Sequence, residues 1–165
     1  MKGRAKPLVD QVLRKIGEAR ELYHRLILIV GPVGNGKTSA LQEVSASTSA
    51  PLINVNLELS RRMLELTERQ RALQAPKLLG EIVGEAIGEL VLLDNIEILF
   101  DVHLKQDPLR LLQGLSRNKT VVAAWNGSIV DDHMAYAVPD HPEYRRYPIR
   151  DFLVVSPDLP GGRQG

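Results

Sequence analysis

The chain has 165 residues, of which 44% are hydrophobic and 25% charged, and this balance is ordinary for a single folded domain. A formal net charge of +1 provides no overall field that would draw the chain to nucleic acid or anionic lipid. Cysteine is absent and no apolar stretch reaches the length of a signal peptide or a membrane span, so we expect a cytoplasmic protein without disulfides, thiolate metal sites or a membrane partner.

The hydrophobic pattern predicts helices and strands that alternate along the chain. Apolar residues at helical spacing predict a first helix over residues 7–24, with Pro7 in its first turn. Apolar runs predict five strands, at 26–30, 52–57, 90–93, 120–125 and 152–156. Further helices are expected at 39–44, 61–71, 76–86 and 108–115, and an irregular stretch rich in Pro, His and Tyr before the last strand. This alternation predicts an α/β fold, with a parallel five-stranded sheet and helices on both faces.

The domain boundaries follow from the same elements. One domain is expected over residues 1–156, and residues 157–165 are expected to form a disordered tail. Because so few residues follow the last strand, we expect a core without a C-terminal helical lid, whose cover must come from a partner.

Residues 31–38 read GPVGNGKT directly after the first predicted strand, which is the P-loop pattern of phosphate-binding proteins. Glycines allow the backbone N–H groups of such a loop to converge on a polyphosphate. Lys37 would reach the β- and γ-phosphates from a solvated position, and the Thr38 hydroxyl would bind Mg²⁺. The alternative is a glycine turn with an incidental Lys-Thr pair. The predicted nucleotide-binding residues are Gly31, Pro32, Val33, Gly34, Asn35, Gly36, Lys37, Thr38 and Ser39.

The run LVLLD at 90–94 ends a buried strand with a carboxylate. Ligands of open α/β sheets bind at the carboxyl ends of strands, so Asp94 is predicted to hold Mg²⁺ opposite Thr38. The next residue is Asn95, whose amide cannot accept a proton in catalysis. Glu97 is the first candidate for the general base and Glu58 the second; for either, an exposed glutamate without a role is the alternative.

A polar residue, Asn126, directly follows the fourth predicted strand. If this strand lies between the first and third, Asn126 would point at the γ-phosphate and orient the attacking water. The alternative is that Asn126 and Gly127 form a turn.

A basic segment, YRRYPIR at 144–150, precedes the last strand. Arg145 and Arg146 are candidates to reach the γ-phosphate of a neighbouring subunit, and Arg117 is a weaker one. A surface basic cluster, or arginines paired with Asp140 and Glu143, is the alternative. The four histidines show no metal-ligand spacing, and the segment Asn118-Lys119-Thr120 lacks the aspartate of a guanine-binding motif, which favours adenine.

The combination of GPVGNGKT, LLDNIEILF, AAWNG, HPEYRRYP and DFLVV closely resembles the BrxF family, the small P-loop proteins encoded in type 3 bacteriophage-exclusion (BREX) systems. The likeness covers nearly the whole chain. It implies a three-layer, AAA+-like P-loop NTPase fold with strand order 5-1-4-3-2. It also implies a role in anti-phage defence beside a larger ATPase, a DNA methyltransferase, a helicase and a phosphatase-like component.

From these observations we expect a subunit of a defence complex that binds ATP and Mg²⁺, hydrolyses ATP and forms homo-oligomers. Other BREX proteins are the expected partners, and double-stranded DNA is a candidate partner. A non-hydrolysing adaptor gated by nucleotide is the first alternative, because Asn95 and the missing lid both favour it. A small-molecule kinase is the second alternative, with a lid supplied by residues 61–71.

Overall fold

The computed structural model describes residues 2–34, 36–138 and 140–157, with side chains from residue 7 onward. Its helices are α1 (Lys2–Ala19), α2 (Lys37–Thr48), α3 (Val55–Arg62), α4 (Glu68–Gly84) and α5 (Pro108–Leu115). Its strands are β1 (Leu26–Gly31), β2 (Leu52–Asn54), β3 (Leu90–Asp94), β4 (Thr120–Val130), β5 (His133–Tyr136), β6 (Arg145–Pro148) and β7 (Leu153–Val155). Two short 3₁₀ turns, Ile96–Phe100 and Val102–Leu104, follow β3. The predicted tail falls outside the described residues from 158 onward.

Five strands form a parallel sheet in the spatial order β2-β3-β4-β1-β7. Strand β1 lies in its interior, and all six of its residues are buried. Alternate residues of a strand point to opposite faces. Accordingly, Leu26 and Leu28 pack in a core with residues of α3, α4 and α5, whereas Ile27 and Ile29 pack against α1 and α2. The expected α/β fold, a mostly parallel sheet flanked by helices, is confirmed.

The segment predicted to be irregular instead forms two antiparallel strands. Strand β4 continues past the parallel sheet to Val130 and pairs with β5, and β5 pairs with β6. Gly127 makes this possible, because a Cβ at this position would lie 1.8 Å from the carbonyl oxygen of Ala135. The predicted turn alternative for Asn126 and Gly127 is therefore wrong, since both residues lie within β4. We call β5, β6 and their connections the hairpin.

The prediction of a helix at 61–71 is also wrong, because α3 ends and α4 begins within this range. Asn54 ends β2 three residues early, since its side chain accepts a hydrogen bond from the Leu57 N–H (3.0 Å) and caps α3. Thr67 and Gln70 form a reciprocal capping box that begins α4. Pro76, expected to begin a separate helix, lies inside α4.

The first helix is shifted relative to the prediction. Helix α1 ends at Ala19, where the Leu22 N–H donates to the Ala19 carbonyl (3.0 Å) in a turn, and Pro7 lies inside the helix. Helix α5 and strands β1, β3 and β7 match their predicted positions to within about a residue at each end. Among the described residues, no helix combines the length and the apolarity that a membrane crossing would require.

Candidate functional site

Three predicted segments meet in one pocket at the carboxyl edge of the parallel strands. The cavity measures about 510 Å³. Its walls come from the β1–α2 loop, the end of β3 with the turn that follows, and β4. The lining residues are Val33, Gly34, Gly36, Lys37, Thr38, Ser39, Asp94, Asn95, Glu97 and Asn126. We call this cavity the P-loop pocket, after the GPVGNGKT segment that the sequence predicts to be a P-loop.

The β1–α2 loop has the backbone that its glycines permit. Gly34 and Gly36 have φ values of 78° and 86°, a region that residues with a Cβ rarely adopt. Helix α2 then begins at Lys37 with Gly36 as its N-cap residue, and a glycine has no side chain that could bond the first N–H groups of the helix. Such N–H groups and the positive end of the helix dipole favour an anion. Asn35, also predicted in this loop, lies outside the described residues.

Lys37 is buried, with 5% of its surface exposed, and the expectation of a solvated side chain is wrong. Its Nζ donates hydrogen bonds to the carbonyl oxygens of Gly31 (2.9 Å) and Pro32. Gly31 and Pro32 therefore contact Lys37 rather than line the pocket. Burial lowers the pKa of Lys37, while the charges of Glu97 and Asp94 act in the opposite direction. An anion in the pocket would offset this loss of hydration.

Thr38 and Asp94 lie side by side, as the sequence predicted. The Thr38 hydroxyl donates to Asp94 Oδ2 (2.7 Å), and Asp94 Oδ1 accepts from the Asn95 N–H (2.9 Å). A hydroxyl and a carboxylate are the oxygen ligands that Mg²⁺ accepts. The described residues hold no group of three or more His, Cys, Asp or Glu that could bind a metal by itself. Mg²⁺ bound beside a phosphate requires only one or two carboxylates, so these two residues fit it.

Glu97 reaches the pocket through a turn after β3. Asn95 has a left-handed backbone, with φ 55° and ψ 51°, and the turn Ile96–Phe100 follows. Ile96 and Phe100 are buried in the core, which leaves Glu97 on the pocket side. Asn126 lies on β4, between β1 and β3, and its Nδ2 donates to Glu97 Oε2. The structure thus pairs two residues that the sequence predicted separately.

The remaining candidates lie outside this pocket. Glu58 is on α3, pairs with Arg61 (3.5 Å) and does not line the cavity. Arg145 donates from Nη2 to the Gln106 carbonyl (3.0 Å), and Arg146 is exposed on β6. Within the described part of the chain neither arginine makes an ion pair, so pairing with Asp140 or Glu143 is not observed.

Arg117, the weaker arginine candidate, is also outside the P-loop pocket. Its guanidinium lies 5.1 Å from the centroid of the Tyr23 ring. None of the three arginines therefore supplies positive charge to the pocket of its own chain.

The sequence prediction missed the residues of the hairpin. Tyr136 on β5 is buried, and its ring stacks on Phe100 with the centroids 3.5 Å apart. Met134 and Tyr136 alternate with partly exposed neighbours, which is the signal of a half-buried strand. The surrounding Pro and His residues obscured this short pattern.

An open α/β sheet binds ligands at the carboxyl ends of its strands, and the P-loop pocket occupies this position. The chain matches no protein-family model, and it matches no curated protein either. Its function is therefore inferred from the residues that line this pocket.

Proposed function

We propose that the chain is a P-loop NTPase that binds and hydrolyses ATP in the presence of Mg²⁺. The observation that carries this proposal is that the GPVGNGKT residues, Asp94, Glu97 and Asn126 share one pocket. The order of the parallel strands supports it. The spatial order β2-β3-β4-β1-β7 is compatible with the order 5-1-4-3-2 that the resemblance implies.

Phosphate binding is assigned to α2 and Lys37. The N–H groups at the start of α2 would donate to phosphate oxygens. The Lys37 ammonium, now bonded to two carbonyls, would exchange them for the stronger bond to a charged oxygen. Thr38 and Asp94 would hold the metal; Mg²⁺, when bound, neutralises charge on the phosphates.

Hydrolysis is assigned to Glu97, with Asn126 as the residue that positions it. The Asn126 amide donates to one carboxylate oxygen of Glu97, and the other oxygen can accept a proton from water. The water oxygen would bond to the γ-phosphorus as the bond to the leaving ADP oxygen breaks, and its proton would pass to Glu97.

Substitution of Glu97 tests this assignment. Glu97→Gln keeps the shape and the contact with Asn126 but cannot accept the proton, so hydrolysis should slow on the order of a hundredfold while ATP still binds. Glu58→Gln is the matched control and should leave the rate unchanged, because Glu58 lies outside the pocket. Phosphate release with saturating ATP measures both. An effect of Glu58→Gln alone would contradict the assignment of the base.

A non-hydrolysing adaptor is the second candidate function. The observation that favours it is that Asn95, not a carboxylate, follows Asp94 directly, and that Glu97 is already bonded to Asn126. Bound ATP without phosphate release from the wild-type protein, with its partners and DNA present, would favour the adaptor over the hydrolase.

We further propose that the chain acts in a BREX defence complex. The support is the resemblance of its motifs to the BrxF family, and the pocket is built from three of those motifs. The expected partners are other BREX proteins and further copies of this chain, with double-stranded DNA as a candidate.

A further inference from the structure

A second cavity adjoins the P-loop pocket. It measures about 450 Å³ and lies between the β1–α2 loop and the hairpin. Its walls are largely apolar, with Pro32 and Val33 on one side and Ala137 and Val138 on the other. It shares Glu97 with the P-loop pocket, so a ligand in it would lie next to that carboxylate. We call this cavity the side pocket.

The charged groups of the side pocket are of one sign. Glu97 and Glu143 line it, and no lysine or arginine does so among the described residues. His141 also lines it, and its Nδ1 accepts a hydrogen bond from the Glu143 N–H (3.0 Å), which requires an unprotonated Nδ1. A phosphorylated or carboxylated ligand would meet repulsion here, whereas a cation would be attracted.

Tyr136 adds a side chain with a polar group to the lining of the side pocket. The residue is 8% exposed and lines the side pocket, and its hydroxyl makes no hydrogen bond among the described residues. The stacked Phe100 ring fixes the phenol in this position. Because no buried side-chain oxygen or nitrogen among the described residues lacks a partner, this hydroxyl is accessible, and it can both donate and accept a hydrogen bond. A ligand N–H would supply the missing partner.

We propose that the side pocket binds a small organic cation, an ammonium or guanidinium group carried on an apolar stem. Its N–H groups would donate to Glu97, Glu143 and the Tyr136 hydroxyl, and the stem would cover the valines and alanine of the walls. The volume lies in the range of small-molecule pockets. A cation beside Glu97 would compete with Asn126 for its carboxylate, so occupancy would act on the P-loop pocket.

Binding can be tested with n-butylguanidinium, and with the uncharged n-butylurea as its control of equal shape. We expect n-butylguanidinium to bind with a dissociation constant on the order of 1 mM, as is usual for so small a ligand, and n-butylurea to bind at least roughly fivefold more weakly. Amide shifts in ¹⁵N-labelled full-length protein should move at Gly127, Ser128 and Val138, which line the cavity. Equal binding of the two compounds, or shifts elsewhere, would overturn the proposal.

Variants separate this proposal from the proposed function. Glu143→Gln and Tyr136→Phe should each weaken n-butylguanidinium binding roughly fivefold, whereas Glu43→Gln, an exposed carboxylate on α2, should not change it. Lys37→Ala, which should lose ATP, should still bind the cation, so each proposal can fail alone. Unchanged affinity in Glu143→Gln would contradict the side-pocket assignment.

Discussion

Lys37 illustrates what a motif predicts about a single residue and what it does not. Its place among the residues of the P-loop pocket followed from the spacing of GPVGNGKT. Its burial did not, because that depends on where the carbonyls of Gly31 and Pro32 point, and no side-chain pattern encodes this. The buried ammonium is also poorly hydrated, so a bound anion would stabilise its charge.

For Glu97, too, the sequence predicted one property and not another. Its candidacy came from the absence of a carboxylate next to Asp94. Its contact with Asn126 depends on the left-handed backbone of Asn95, a conformation that asparagine adopts more readily than most residues. The sequence contains the residue that permits this turn, but not the direction in which the turn carries Glu97.

Tyr136 gives a prediction about pH. Burial raises its pKa from 10.0 to about 12, and the charges of Glu97 and Glu143 contribute. Its stabilising contribution is therefore fully present below pH 10.0 and is lost as the pH rises towards about 12. The free energy of unfolding should fall over this range.

Urea unfolding of wild type and Tyr136→Phe measures that fall. The variant should lose less stability between pH 10.0 and about 12, because it lacks the phenol hydroxyl whose pKa is raised by burial. Some loss should remain in the variant, since burial also raises the pKa of Tyr147. The same loss in both proteins would contradict the placement of this phenol in a desolvated site.

At the scale of elements, short segments governed by caps were the least predictable. Residues 61–71 contain charged residues at helical spacing, yet Thr67 and Gln70 begin a new helix among them. The capping pair outweighs the pattern because it satisfies backbone N–H groups that a helix start leaves free. Strand β1, by contrast, is a continuous apolar run buried on both faces, and few structures other than a buried parallel strand fit so short a run.

The hairpin depends on one glycine. In Gly127→Ala, the added Cβ would meet the backbone of β5 at 1.8 Å, and a backbone atom cannot move aside as a side chain can. We expect a loss of about 3 kcal/mol in the free energy of unfolding, the upper end of overpacking costs. The Trp125 Nε1 bond to the Ala135 carbonyl (3.1 Å) should weaken with it.

Gly114→Ala is the control for this change, because outside the adjoining backbone of α5 no described atom lies within 4 Å of the Cβ position there. Chemical denaturation of both variants, with Trp125 fluorescence as the reporter, compares them. Equal stability of Gly127→Ala and Gly114→Ala would contradict the close approach of Gly127 to the Ala135 carbonyl.

At the scale of the whole molecule, the parallel sheet was predictable and its antiparallel extension was not. Alternating strands and helices are compatible with few sheet topologies, because crossovers between parallel strands are long and right-handed. The hairpin lies in a segment whose few apolar residues alternate over only four positions, and this is too short to stand out. The side pocket could therefore not be foreseen.

The assembly of subunits is a prediction at this same scale. None of the candidate arginines lines the pocket of its own chain, so the added positive charge for hydrolysis should come from a neighbouring subunit. Arg146 is the better placed, because it is exposed, while Arg145 is bonded to the Gln106 carbonyl. We expect larger species with a slowly hydrolysed ATP analogue than with ADP, since a ligand shared by two subunits stabilises their contact.

Light scattering and phosphate release test this assembly, with and without double-stranded DNA. The double change Arg145→Ala with Arg146→Ala should abolish hydrolysis but spare ATP binding, and a mixture with Lys37→Ala should regain partial activity at mixed interfaces. Arg14→Ala, an exposed arginine on α1, is the control. Hydrolysis by a wild-type monomer would contradict the shared site.

Calorimetric titration of the protein with Mg-ATP tests most directly whether the P-loop pocket binds ATP. Wild type and Lys77→Ala, an exposed lysine on α4, should bind alike, whereas Lys37→Ala should lose roughly a hundredfold in affinity with its charged hydrogen bonds. Circular dichroism of Lys37→Ala controls for its buried position. Equal affinity in Lys37→Ala, or no binding by wild type, would contradict the assignment of the P-loop pocket to ATP.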